Sequence, residues 1–221
     1  MPGLLLVFGL VALVGGIVVR NQCVFLSVNE RVGAELLVLE GWVPDHVVRA
    51  AMEEFNRGGY RRILVTGGGI DRGEPLSEFK TFGELGRATL TRLGFPPDKV
   101  SAVVGPAVDR DRTFNSALQL RARLQREGAL PDRIQIISTG PHGRRTRLLF
   151  EAAFGSETRM GILSVPDPRY PERRWWINSV GFRDVVAESI AYLYARFVFH
   201  ASPVVDSPAD SGRSAISPVL N

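Results

Sequence analysis

Hydrophobic and polar residues follow one another in this chain in blocks that predict alternating strands and helices. Short apolar runs typical of buried strands are each followed by a longer segment whose apolar residues recur at helical spacing. The predicted strands are 35–40, 62–66, 100–104, 133–138 and 161–165. The predicted helices are 44–58, 78–93, 113–127, 144–154 and 180–199. This succession predicts an α/β fold with a parallel sheet of about five strands and helices on both faces.

An uncharged apolar segment precedes the first predicted strand. Residues 2–19 contain no charged side chain and are followed by Arg20, and such a run is long enough to cross a bilayer as a helix. A cleaved signal peptide and a buried helix are the alternatives, but no basic residue precedes the run and no A-x-A-like site follows it. We therefore expect a single-pass membrane anchor and linker in residues 1–30. An α/β domain is expected in residues 31–200, and a disordered tail rich in Ser and Pro in residues 201–221.

Composition excludes several classes of function. The formal net charge is +4, and the basic residues are scattered among acids without a basic stripe and interleaved aromatics. We therefore expect no nucleic-acid partner. Cys23 is the single cysteine, so a disulfide framework and a cysteine-rich metal site are excluded. No metal-ligand motif is present, and the sequence identifies no cofactor.

The loops after the predicted strands contain most of the candidate chemistry. Because the carboxyl ends of parallel strands meet at one edge of a sheet, we expect these loops to converge there. The second strand ends in Thr66, Gly67 and Gly68, and glycines let backbone N–H groups approach an anion closely. A tight strand exit without a ligand is the alternative interpretation.

The loop after the fourth strand offers a histidine and an arginine. His142 and Arg145 stand three residues apart at a predicted helix start, so they share one helix face. An arginine beside a helix N-terminus binds anions, and an imidazole can transfer a proton. A histidine that caps the helix at the surface is the alternative.

Two acids are candidates to orient His142 or to act as a base. Glu40 ends the first strand, and Glu78 begins the second predicted helix, where stabilisation of the helix dipole is the alternative role. Further candidate ligand-binding residues lie in the same loops. They are Gly41, Asp45, Thr113 and Asn115, of which Asp45 and Thr113 have helix-start roles as alternatives.

Several short motifs, read in order, give residues 34–165 a resemblance to a known family. They are Arg49-Ala50-Ala51, Thr66-Gly67-Gly68, Glu78, Gly94-Phe95-Pro96 and the pair His142 and Arg145. Together they resemble the SanA/ElyC/YdcF-like family, and on this basis Arg49 joins the ligand-binding candidates. Two segments depart from the family pattern, because the first strand ends in Glu40-Gly41-Trp42 and Asn115 stands where the family has a glutamate.

The resemblance implies a Rossmann-like fold and a role in the cell envelope. Membrane-anchored members look like factors of peptidoglycan and lipid-carrier metabolism, with the domain outside the cytoplasm, and a soluble branch is associated with S-adenosylmethionine. Arg20 and Arg31 follow the apolar run and by themselves favour a cytoplasmic domain. We follow the resemblance and expect an extracytoplasmic domain on the inner (plasma) membrane.

Three functions are compatible with these features. The first is an envelope-biogenesis enzyme, a hydrolase or transferase acting on a phosphate-bearing, lipid-linked substrate. The second is a non-catalytic module for a nucleotide-like ligand such as S-adenosylmethionine, with Glu40 as the acid at a strand end. The third is a scaffold that contacts partners through its anchor and tryptophans.

Overall fold

The computed structural model describes residues 2–70, 74–105 and 108–201. The strands within these residues are β1 Asn29–Glu30, β2 Leu36–Glu40, β3 Arg62–Thr66, β4 Val100–Val103, β5 Arg133–Thr139 and β6 Arg159–Val165. The helices are α1 Pro2–Leu26, α2 Asp45–Gly58, α3 Phe82–Arg92, α4 Arg112–Arg126, α5 Gly143–Phe154 and α6 Ser179–Phe197. Short 3-10 segments span Glu74–Leu76, Pro97–Lys99, Gly140–His142 and Glu172–Ile177.

The strands form one six-stranded sheet in the order β1-β6-β5-β2-β3-β4. β2 to β6 run parallel, and β1 pairs antiparallel with β6 at the edge. The α/β class and the mostly parallel sheet are therefore confirmed, with one strand more than predicted. β1 was missed because a two-residue edge strand, Asn29–Glu30, has no hydrophobic period to detect.

The sheet separates two hydrophobic clusters, one on each face. Along β2, Leu36 and Val38 belong to the cluster that includes residues of α4 and α5. Leu37 and Leu39 belong to the other cluster, which includes residues of α2 and α3. Successive strand residues point to opposite faces, so a continuous apolar run is what a strand covered on both sides requires.

α3 begins four residues later than predicted and each of the other four domain helices begins within one residue of its predicted start, because capping decides where a helix starts. α3 begins at Phe82 instead of Glu78, since Thr81 and Glu84 form a reciprocal capping box. The N-cap of α4 is Asp111, in the left-handed conformation at φ 50°, so Thr113 lies inside the helix. Thr113 is therefore not the N-cap that was its alternative role.

α1 is a long apolar helix whose two ends have different surroundings. Its segment Leu6–Leu26 is long and apolar enough to cross a membrane, by length and composition. Most apolar side chains between Leu6 and Val19 are exposed, whereas Cys23 and Leu26 are fully buried in the domain. The predicted helix is confirmed and continues seven residues further than residue 19. The predicted tail from residue 202 lies outside the described residues.

Candidate functional site

A cavity of about 530 Å³ lies at the carboxyl edge of the sheet. The predicted site residues that line it are Glu40, Thr66, Gly67, Gly68, Thr113, His142 and Arg145. The glycine turn after β3 and the histidine–arginine pair before and within α5 thus border one shared space. The other lining residues are Trp42, Gly69, Phe82, Asp109, Asp111, Arg112, Ser116, Leu149, Glu188, Ala191, Tyr194, Ala195 and Phe199.

The cavity lies where the order of the parallel strands reverses. The chain proceeds from β2 outward through β3 to β4, and then returns to the other side of β2 with β5 and β6. The adjacent ends of β2 and β5 therefore flank the switch point, which is the place where open α/β sheets bind ligands. Glu40 from β2 and Ser138 from β5 meet there, because the Ser138 hydroxyl donates to Glu40 Oε2 at 2.5 Å.

Glu40 is a buried carboxylate held by hydroxyl groups. Its side chain is 3% exposed, and Oε2 accepts hydrogen bonds from Ser138 and, at 3.1 Å, from Thr146 of α5. The other oxygen, Oε1, lies 3.5 Å from His142 Nε2. Burial would raise the pKa of Glu40, but the neighbouring His142 and the Ser138 hydroxyl lower it. Glu40 is therefore ionised, and it is the first member of a cluster of charged side chains.

His142 stands between two carboxylates. Its Nδ1 lies 2.9 Å from Glu188 Oε1 of α6, on the side opposite the Nε2 that faces Glu40. Burial would lower the pKa of His142, but Glu40 and Glu188 outweigh burial and raise that pKa to about 9. At neutral pH the ring is an imidazolium, so both ring nitrogens are donors.

Arg145 completes the cluster from the first turn of α5. Its Nε donates to Glu188 Oε2 at 2.9 Å, and its Nη2 donates to Glu188 Oε1 at 3.0 Å. Burial would raise the pKa of Glu188, but the bonds from His142 and Arg145 lower it to about 2. Arg145 Nη2 also lies 2.9 Å from His142 Nδ1, because both donors converge on the same oxygen of Glu188. The cluster holds two cations and two anions.

One polar atom of this cluster has no hydrogen-bond partner among the described residues, although it forms an ion pair with Glu40. His142 Nε2 is buried, and its 3.5 Å separation from Glu40 Oε1 is too long for a hydrogen bond. A buried donor without an acceptor is costly, and it sits on a residue that lines the cavity. Nε2 is therefore the atom of the cluster that could still donate a hydrogen bond, although it is shielded from water in this structure.

A second polar wall is formed by the start of α4. Arg112, Thr113 and Ser116 line the cavity, and the N-cap Asp111 makes no side-chain hydrogen bond to the helix. The positive end of a helix dipole and side-chain donors together favour an anion. Gly68 also lines the cavity, and a Cβ there would meet nothing within 4 Å. Asp109 and Asp111 also line the cavity beside this wall, so the start of α4 presents both positive and negative groups to a ligand.

The remaining wall of the cavity is apolar. It consists of Leu149 from α5 and of Ala191, Tyr194 and Ala195 from α6, with Phe199 beyond the helix. The edge of the Trp42 ring also contacts His142, with ring centroids 4.7 Å apart. The cavity therefore combines charged groups and apolar surface, which suits an amphiphilic ligand.

Several predicted residues do not line the cavity. Gly41, Asp45, Arg49 and Glu78 are absent from its lining, and the last three are exposed. Asn115 lines a small neighbouring pocket of about 10 Å³ and donates to the carbonyls of Arg110 and Asp111. Its observed contacts hold the left-handed turn before α4.

The start of α5 is occupied by the protein itself. Arg144 donates to the carbonyl of Phe25 in α1, and its guanidinium lies 3.9 Å from the Phe25 ring. Gly143 packs so tightly on β6 that an added Cβ would lie 1.9 Å from Ser164 Oγ. The predicted anion site at this helix start is thus replaced by contacts with α1 and β6.

Two of the glycines are explained by the close approach of α3. A Cβ on Gly41 would lie 2.2 Å from the Phe82 carbonyl oxygen, and one on Gly67 would lie 2.7 Å from Phe82 Cβ. The carbonyls of Gly68 and Gly67 accept hydrogen bonds from the N–H groups of Phe82 and Gly83. Gly41 and Gly67 therefore allow α3 to pack, and only Gly68 faces open space.

Three residues that hold the charged cluster together were not predicted as site residues: Glu188, Ser138 and Thr146. Glu188 was not predicted because the closing helix was treated as a packing element. It is the one acid between Val185 and Phe199, a mostly apolar stretch with one serine and one arginine, and this isolation was the available signal. Ser138 and Thr146 carry no such signal, since buried hydroxyls are common in cores.

Among the described residues, no group of three or more His, Cys, Asp or Glu side chains is arranged to hold a metal ion. The cluster's carboxylates are instead engaged with His142, Arg145 and two hydroxyls. The site as described is built for charge and proton chemistry by side chains.

Comparison with known proteins does not assign this chain. No protein-family model matches it, and a search of curated proteins finds none with significant similarity.

Proposed function

We propose that this protein is a membrane-anchored factor of cell-envelope biogenesis and an enzyme that hydrolyses or transfers a phosphate-linked group of a lipid-linked substrate. The observation that carries the proposal is His142, a buried imidazolium whose Nε2 makes no hydrogen bond and which lines a cavity with both polar and apolar walls. The motif resemblance to the SanA/ElyC/YdcF-like family supports the envelope role. The strand order supports a Rossmann-like fold, since the parallel strands β2 to β6 follow the order 3-2-1-4-5.

In this proposal each member of the charged cluster has a role. His142 Nε2 donates its proton to the leaving oxygen as the bond between phosphorus and that oxygen breaks, while the oxygen of water or of an acceptor hydroxyl forms the new bond to phosphorus. The attacking oxygen releases its proton to solvent, so one proton is given up and one is taken up in each turnover. Glu188 orients the ring through Nδ1, and Arg145 holds Glu188. Phosphoryl transfer needs mainly positioning and charge stabilisation, and in this proposal the N-terminus of α4 contributes the positive end of its dipole.

The position of Glu40 favours a role in stabilising the proton on His142 over a role as a general base. In an in-line displacement the attacking and leaving oxygens lie on opposite sides of phosphorus. Glu40 Oε1 is only 3.5 Å from His142 Nε2, so the two groups serve the same side. Glu40 therefore favours the protonated form of His142, and after turnover the ring regains its proton from solvent because the carboxylate stabilises the imidazolium.

The alternative of a nucleotide-like binding module has weaker support. It relied on Glu40 as a strand-end acid that accepts from a ligand, as the acid of dinucleotide-binding folds does from a ribose. Glu40 is instead buried against two hydroxyls and an imidazole. Its Oε2 already accepts two hydrogen bonds within the protein, and its Oε1 faces the His142 ring.

Turnover of a polyprenyl diphosphate in detergent micelles tests the proposal. We expect phosphate release by the full chain and a loss of roughly 100-fold or more in His142→Asn, the scale of general acid catalysis. Glu188→Gln is expected to lower turnover as well, since it misorients the ring. The exposed His200, changed to Asn, is the matched control and should leave turnover unchanged.

Thermal melting of each variant separates lost chemistry from lost folding. Binding of the diphosphate without turnover would show that the protein is a binding module for this ligand and not an enzyme acting on it. Calorimetric binding of S-adenosylmethionine, with none of the polyprenyl diphosphate, would favour the nucleotide-like alternative. Absence of both binding and turnover in the folded wild-type chain would reject the proposed substrate class.

A further inference from the structure

α1 joins the domain at the same edge of the sheet as the cavity. β1 follows α1 and runs antiparallel to β6, with Asn29 opposite Leu163. Just before β1, the Val28 carbonyl accepts hydrogen bonds from the backbone N–H and the hydroxyl of Ser164, near the end of β6. The chain therefore enters the sheet from the carboxyl end of β6, and α1 lies beyond the carboxyl edge.

The last part of α1 is fixed to the domain by specific contacts. Trp175 Nε1 donates to the Val19 carbonyl at 2.9 Å, and Gln22 Nε2 donates to Ser189 Oγ of α6 at 3.0 Å. Cys23 and Leu26 are buried in one cluster with Tyr170, Trp175 and Val185. The exposed apolar part of α1 therefore leaves the domain at Val19, beside the 3-10 segment Glu172–Ile177.

Exposed apolar side chains surround this exit point. Trp176, Ile177 and Phe182 are 41%, 51% and 53% exposed, and we call these three residues the anchor-side patch. The patch adjoins the exit because the Trp175 ring lies 5.8 Å from Trp176 and 6.0 Å from Phe182, centroid to centroid. Tryptophan beside an apolar span is typical of the membrane–water interface.

Arginines lie among and beside these apolar groups. Arg20 follows Val19 in α1, Arg173 donates to Asn21 at 3.5 Å, and Arg174 and Arg183 are exposed. Basic side chains at this level pair with the phosphates of anionic lipids. The combination of apolar and basic groups matches the headgroup region of a bilayer.

We propose that the domain rests on the bilayer through the anchor-side patch, so that the carboxyl edge and its cavity face the membrane. This inference rests on the anchoring part of the proposed function. It commits to lipid as the occupant of the patch, because the patch is continuous with a helix long and apolar enough to span a membrane.

α6 extends the apolar surface from the patch towards the cavity. Ile190, Leu193 and Phe197 are exposed, and they follow Phe182 at the spacing of one helix face. Tyr194 lines the cavity and lies one helical turn from both Ile190 and Phe197. The face of α6 thus provides a path by which the head of a membrane lipid reaches the polar wall while its chain stays on apolar side chains.

Fluorescent labels on the full chain in proteoliposomes test this orientation. The liposomes contain phosphatidylethanolamine and phosphatidylglycerol, with and without a lipid that carries a quencher near its headgroup. Cys23→Ala removes the native thiol, and a polarity-sensitive label is placed on Ile177→Cys or Phe182→Cys. The matched control is Glu157→Cys, an exposed position just before β6, at the opposite, amino edge of the sheet.

Labels at residues 177 and 182 should lose most of their fluorescence to the lipid quencher, while the label at residue 157 should lose little. Equal, weak quenching at all three positions would overturn the orientation. A second copy of the chain could instead cover the patch. In that case the labels at 177 and 182 would be shielded from both lipid and aqueous quenchers and would show energy transfer between chains, and this result would also overturn the proposed orientation. Flotation with the liposomes is measured separately, so a failure of anchoring is distinguished from a failure of orientation.

Discussion

At the scale of single residues, His142 is a buried cation whose charge depends on two carboxylates. Glu40 and Glu188 flank its two ring nitrogens at 3.5 and 2.9 Å, and Arg145 balances the second carboxylate. The cluster is neutral as a whole, so it can stay ionised inside the protein. The spacing of His142 and Arg145 predicted their shared face, but the carboxylate between them comes from a helix 43 residues away in the chain.

The titration of His142 is the prediction that belongs to this scale. NMR of the full chain should report a pKa of about 9 for His142, and Glu188→Gln should lower it because one of the two carboxylates is lost. A His142 that titrates at or below its ordinary value of 6.5 would contradict the charged cluster.

The same shifts predict how stability depends on pH. Because the folded pKa of His142 is raised, its contribution is fully present below about pH 6.5 and is lost as the pH rises through about 9. Because the folded pKa of Glu188 is lowered, its contribution is present above about pH 4.5 and is lost as the pH falls through about 2. Urea unfolding of the wild type and Glu188→Gln across this range measures both limits, and a Glu188→Gln curve parallel to the wild type would contradict them.

At the scale of elements, the approach of α3 to the end of β3 explains most of the glycine turn. Phe82 and Gly83 at the start of α3 bond to the carbonyls of the turn, and their atoms occupy the space of a side chain at residue 67. The sequence predicted a ligand-binding turn there. The structure divides it into a packing residue, Gly67, and a residue open to the cavity, Gly68.

Alanine at these two adjacent positions should therefore affect different properties, stability at residue 67 and ligand binding at residue 68. Gly67→Ala is expected to lower the free energy of unfolding by about 1–3 kcal/mol, because its Cβ overlaps Phe82. Gly68→Ala is expected to leave stability nearly unchanged and to weaken binding of the diphosphate, because its methyl group enters the cavity. Urea denaturation and calorimetry measure the two effects, and equal destabilisation by both variants would contradict this division.

At the scale of the whole molecule, α1 belongs partly to the span and partly to the domain. The expected division placed residues 1–30 in an anchor and linker, but Cys23 and Leu26 are fully buried against the 3-10 segment Glu172–Ile177 and α6. The helix thereby fixes the direction in which the domain leaves the apolar span. Its docking also covers one side of α6, the helix that supplies Glu188.

Two truncations should locate the boundary inside α1. Removal of residues 1–17 deletes mostly exposed side chains, so the remaining chain is expected to fold with a melting temperature close to that of the full chain. Removal of residues 1–26 also deletes Cys23 and Leu26, and loss of such buried apolar groups costs several kcal/mol. Thermal melting in the same detergent compares them, and equal melting temperatures would contradict the packed role of the helix end.

The hydrophobic pattern alone was sufficient for the α/β class, the order of the elements and the apolar helix. These features depend on local period and on the length of apolar runs, which are properties of neighbouring residues. It was also sufficient to place Thr66, Gly67 and His142 at strand ends, because parallel strands bring their carboxyl ends to one edge.

Tertiary structure decided the chemistry of that edge. Glu188, Ser138 and Thr146 reach Glu40 and His142 from separate elements, and no spacing along the chain records which side chains meet in space. The charge states of these side chains also depend on the tertiary structure, because the pKa of His142 depends on burial and on carboxylates distant in sequence. The direction of α1 relative to the cavity likewise follows from the antiparallel pairing of β1 with β6, a two-residue contact that local pattern does not encode.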